Sequence, residues 1–107
     1  MGSAAKDAMA PIAVPFTGGV IDLSKGSYFA GTVAGATAFT FNNRPPGLMV
    51  FQVEIKHTSG VITWPGNMTW PDGFAPVLKT GKRHRFMFEF VQSEAGTWWD
   101  GSCLPNY

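Results

Sequence analysis

The densest run of charged side chains in this 107-residue chain is LKTGKRHR, where Lys79, Lys82, Arg83, His84 and Arg85 flank one turn. Four of the eight cationic residues lie there. Ammonium and guanidinium groups so placed match phosphate or the carboxylates of acidic sugars. A charge run also marks a solvated turn or a salt-bridging contact with a neighbouring subunit, and that plainer reading is preferred. Trp98-Trp99 is the second candidate for surface contact. Successive side chains of a strand point to opposite faces, so only one of these indoles belongs to a given core face. The other meets a neighbouring subunit, a second sheet or a sugar ring, with subunit packing favoured.

Catalysis finds little to work with. The carboxylates Asp7, Asp22, Glu54, Asp72, Glu89, Glu94 and Asp100 form no paired acid/base motif. His57, His84 and Cys103 supply a base and a nucleophile by type, but no local signature surrounds Cys103. The reading is a protein that is not an enzyme and takes no cofactor. Two isolated histidines and one cysteine offer no metal-ligand spacing, and a single cysteine forms no internal disulfide. Asn67-Met68-Thr69 matches the glycosylation tripeptide; without a secretory signal it is read as a turn.

A formal net charge of +1 gives no global field for nucleic acid or an anionic membrane. Neither is expected as a partner. Charged residues make up 14% of the chain, against roughly 25% in an average domain, so part of the surface is expected to be covered by other protein. No signal peptide or membrane-length apolar run is visible, and the expectation is a soluble protein made in a cytoplasm.

The elements that must position these groups are strands. Residues 1–15 are small and weakly polar, with Pro11 and Pro15 leaving room for two helical turns at most, and are read as an extended arm. Residues 16–107 then form one module. Short strands are expected over 20–23, 27–33 and 37–42, the latter two as a hairpin about Ala34-Gly35-Ala36. The clearest strand is LMVFQVEIKH, 48–57, with Met49, Phe51, Val53 and Ile55 on one side and Gln52, Glu54 and Lys56 on the other. Further strands are expected over 61–64, 75–79, 85–92 and 97–100. In 85–92, Phe86, Phe88 and Phe90 face inward, and Met87, Glu89 and Val91 face outward. About eight short strands with no helical period after the arm describe an all-β fold, an antiparallel β-sandwich or jelly-roll-like module.

Between these strands lies ITWPGNMTWPDGFAP, 62–76, with two Trp-Pro pairs. Each proline removes a ladder donor and holds the preceding tryptophan extended, so the stretch is expected to be a bent ribbon. Trp64 and Trp70 are read as core pins, with Phe39, Phe51 and Phe88 as their partners.

In the strings VIDLSKGSYFAGTVAGATAFTF, RPPG, FQVEIKHTSGVITWPGNMTWPDGFAPVL and FMFEFVQSEAGTWWDG, which span 20–101, the chain resembles a small Trp-Pro-containing β module of bacteriophage virion proteins, chiefly tail-fibre and minor tail proteins. The resemblance implies a virion structural part, a homo-oligomer with a trimer favoured, and no catalytic residues. Two roles follow from it. One is a tail or fibre-associated module on the particle exterior, docked to other virion proteins through the arm and touching host surface glycan through Lys82, Arg83, Arg85 or an exposed indole. The other is a capsid decoration, or cement, protein that stabilises the shell and has no ligand. This chain is almost only the module, without fibre shaft, stalk or tip, which argues against an independent receptor-binding fibre.

Overall fold

The computed structural model describes residues 12–46, 49–71 and 73–103, which form ten strands and no helix. In chain order these are β1 (Val14–Pro15), β2 (Val20–Asp22), β3 (Tyr28–Ala34), β4 (Thr37–Ala38), β5 (Thr40–Asn42), β6 (Met49–Ser59), β7 (Ile62–Thr63), β8 (Met68–Thr69), β9 (Lys82–Ser93) and β10 (Gly96–Cys103). The fold is all-β. Most of the expected arm, residues 1–11, lies outside the described residues. Its end does not: β1 pairs with Phe29 and Ala30 of β3.

One six-stranded sheet runs in the order β1-β3-β6-β9-β10-β8, accompanied by the two-stranded sheets β2-β5 and β4-β7. The expectation of an antiparallel sheet holds only for β6-β9 and β9-β10; every other pair is parallel. Parallel neighbours need a crossover of a dozen or more residues, and residues 35–48 supply it between β3 and β6. The expected hairpin of 27–33 with 37–42 therefore does not form. Instead β3 lies beside β6, and past a bulge at Ala34 the same two segments stay together as β4 and β7. Gly35 N–H donates to the Ser59 carbonyl at 3.0 Å, and Thr37 N–H to that of Val61 at 3.0 Å, which keeps this paired ribbon continuous through its bend. The bend depends on Gly60, whose φ of +95° suits glycine and whose missing side chain leaves room for the Gly35 backbone. Three passes of the chain are thus laid side by side in parallel, and the long β9-β10 hairpin completes the sheet.

The expected strand over 75–79 is also absent. Pro76 offers no ladder donor, and the exposed edge of β10 is already taken by β8. Elsewhere alternation decides the faces. Phe51, Val53 and Ile55 of β6, Phe86, Phe88 and Phe90 of β9, and Phe29 and Val33 of β3 are buried on one inner face. After the bend, Phe39 and Phe41 lie over that face: Phe41 meets Phe51 at 5.0 Å and Trp99 at 5.0 Å, ring centre to ring centre. Such edge and tilted ring contacts add to the burial of aromatic area.

The strand end at Asp22 is fastened by its carboxylate. Oδ1 accepts from Ser24 N–H at 3.0 Å, from the Ser24 hydroxyl at 2.6 Å and from the Asn43 amide at 3.0 Å, tying the turn after β2 to the end of β5. These bonds, the Ser24 hydroxyl first, then Asn43 and the Ser24 backbone, hold the Asp22 pKa below its ordinary 3.8. A depressed carboxylate contributes stability above its unfolded pKa and loses it as pH falls through the lower folded value. Asp22→Asn is therefore expected to be less stable than wild type at pH 7, with the gap closing in urea melts as the pH is taken below 3.8.

Candidate functional site

The basic run does not form one patch, because strand alternation divides it. Arg83 and Arg85 point to the outer face of the sheet, while His84 is buried on the inner side. Lys79 lies in the loop ahead of β9, and Lys82 is exposed at the start of the strand opposite His57. The register adds Lys56, which stands directly across from Arg83 on the outer face. Arg83 reaches Glu54 at 3.4 Å, and the same carboxylate accepts from the Tyr28 hydroxyl at 3.5 Å. Arg85 is half-buried on the outer face, and its Nε has no hydrogen-bond partner among the described residues.

The histidines serve the fold. His57 Nε2–H donates to the Gly60 carbonyl at 2.8 Å, bracing the bend of the ribbon. His84 Nε2 lies 3.1 Å from Lys79 N and 3.2 Å from Lys79 O, closing the loop before β9. Cys103 stands opposite Phe86, and burial pushes its thiol pKa up, the reverse of what activates a cysteine nucleophile.

Trp98 and Trp99 part as adjacent strand residues must. Trp99 is buried against Phe41, Phe51 and Phe90. Trp98 is half-buried on the outer face, its indole N–H donating to Asp100 Oδ1 at 2.8 Å. The Thr69 hydroxyl donates to the same oxygen, which holds the edge strand β8 to β10. Asp100 faces Glu89 directly across the β9-β10 ladder. These two carboxylates, with Val50, Met87, Trp70 and Pro71, border a cleft of about 460 Å³. A shallower hollow of about 260 Å³ lies toward the other end of the sheet, beside Glu54, Lys56 and Arg83. The outer face is thus basic at one end and acidic at the other, with Gln52, Met87 and Ser102 in one row between them.

The residues read as core pins are brought together on the inner face. Trp64 stacks on Phe39 at 4.9 Å and meets Phe88 at 5.3 Å and Trp70 at 5.5 Å. Phe51 lies 5.3 Å from Phe88, and Trp70 lies 6.0 Å from Phe88. Both indoles are only partly buried, at the rim of the cluster. Gly101 makes the seat for Trp70: a Cβ there would stand 2.7 Å from the indole and 2.9 Å from the Phe88 ring.

The acidic end was not singled out from the sequence, although a signal existed. Counting outward from the two-residue turn Glu94-Ala95 brings Glu89 opposite Asp100. Lys56 was hidden for another reason: its pairing with Arg83 joins residues far apart in the chain. Among the described residues no group of three or more His, Cys, Asp or Glu side chains is arranged to hold a metal ion. Comparison with known proteins finds no matching family model, no matching curated protein and no matching solved structure.

Proposed function

We propose that this protein is a structural component of a bacteriophage virion, a small tail or fibre-associated module on the particle exterior that works by docking to neighbouring proteins. The observation that carries the reading is a set of large apolar side chains left in solvent between residues 61 and 77: Val61 at 75% exposure, Phe74 at 76% and Val77 at 94%. Phe74 and Val77, three residues apart in the loop before β9, are the part of this set that we read as a contact site. The segment overlaps the Trp-Pro stretch that carries the resemblance to virion proteins. We read the layered packing of β4 and β5 on the main sheet as a sandwich-like module that holds this segment out.

The shell-cement reading has a separate observation in its favour. Ile12, 78% exposed, stands just before β1 at the sheet edge, where an arm would leave for a neighbour. One experiment separates the two. Particles are assembled with protein carrying Phe74→Asp and Val77→Asp, and copies are counted and located in images of the virion. A handful of wild-type copies at the tail, lost in the double variant, supports the tail reading. A full shell complement that persists in the variant supports cement, and incorporation at neither place overturns both.

A further inference from the structure

We infer that the outer face of the main sheet is a self-complementary docking surface for a second copy of this chain, joined two-fold about Met87. Two charges on that face are left over. Glu54 is engaged by Arg83 and Tyr28, and Asp100 by Trp98 and Thr69. Arg85 stands across the ladder from Glu54 but forms no salt bridge with that carboxylate, which Arg83 holds, and Glu89 faces another carboxylate with no ionic partner among the described residues. Like charges directly opposite each other destabilise a sheet, so Glu89 is in want of a cation.

Arg85 and Glu89 cannot meet within one chain. They lie on the same strand with Cα atoms roughly 13 Å apart, at about 3.4 Å per residue, and project side by side. Each is two residues from Met87. A two-fold axis lying between two such sheets, crossing β9 at Met87, reverses the strand direction and sets Arg85 of each copy over Glu89 of the other. Two ion pairs form by one symmetry operation, as an isologous contact requires. The row of Arg83 then lies over the row of Val91 and Trp98 in the other copy, and Met87 meets its own symmetry mate at the axis.

Sheets packed face to face sit about 10 Å apart, close enough for guanidinium and carboxylate to meet. Four strands at about 4.8 Å spacing and some eight residues in length present roughly 500 Å² per copy. The total falls near the lower limit for a specific interface. A micromolar dimer is the expectation. This inference stands whether the protein acts on a tail, on a shell or elsewhere, so its failure leaves the proposed function untouched.

Charge exchange tests it. Sedimentation of the full chain is expected to show a monomer–dimer equilibrium that weakens as salt rises. Arg85→Glu alone, or Glu89→Arg alone, places like charges opposite each other twice and is expected to weaken the dimer roughly 100-fold. The variant carrying both substitutions restores the pairs with reversed sense and regains the dimer. A wild-type monomer at millimolar concentration, a trimer, or single variants that associate like the wild type would each overturn the inference. So would a double variant that stays monomeric. Should a single variant fail to fold, as judged by circular dichroism, the salt response of the wild type decides, and a dimer indifferent to salt counts against the pairing.

Discussion

Phe88→Ala is expected to lower the stability of the domain by about 3–5 kcal/mol, the usual cost of removing a buried ring that cannot be replaced by collapse of its surroundings. The size follows from its neighbours. Phe88 is almost wholly buried, and its ring is met by Phe41, Phe51, Trp64, Trp70 and Phe86 at 5.1, 5.3, 5.3, 6.0 and 5.8 Å. These rings come from β5, β6, β9 and the Trp-Pro stretch, so none can fill the hole without pulling its own strand off register. Domains of this size hold about 5–15 kcal/mol in total, and the variant should melt some 15–30 °C lower. Phe88→Leu, which leaves most of the volume, should lose much less. A calorimetric scan in which Phe88→Ala melted within a few degrees of wild type would mean that the ring cluster does not hold the layers together.

Gly60→Ala is expected to cost about 3 kcal/mol or more, although it adds a single methyl group at an exposed position. Two effects combine. A left-handed φ costs a non-glycine residue about 1–2 kcal/mol, and here φ is +95°. The added Cβ would also overlap the carbonyl carbon and oxygen of Gly35, which are backbone atoms with no rotamer to move. The ribbon would have to part where it bends, releasing the His57 bond to Gly60 with it. Gly66→Ala is the control, since no atom lies within 4 Å of its Cβ position. Surface changes of that kind stay within about 0.5 kcal/mol. Equal urea midpoints for the two variants would rule out the close approach of Gly35 and Gly60.

How far the sequence reaches is best seen in β6 and β9. Their alternation sorts inner from outer residues correctly, because a period of two is a local property that one buried face enforces. The partner of each strand is a different matter. Ala34-Gly35-Ala36 reads as a hairpin turn, yet it bends a ribbon whose second strand lies some 25 residues later, and parallel pairing leaves no short-range mark. The segment 75–79 misleads for the opposite reason: its composition suits a strand, but no edge is open to it. At the surface, LKTGKRHR is conspicuous by proximity in sequence alone. Its members then point three ways, and the charges that face one another, Glu89 with Asp100, Lys56 with Arg83 and Glu54 with Arg85, are set by register.

Among the described residues the two borders of the main sheet are β1 and β8, each two residues long. Pro15 removes a donor from the first, and Pro65 and Pro71 close off the chain on either side of the second. A free border of this kind cannot template another strand. Lateral growth of the sheet from molecule to molecule is blocked at both ends, so crowded copies are steered away from fibril-like addition and toward contacts that leave the sheet finite.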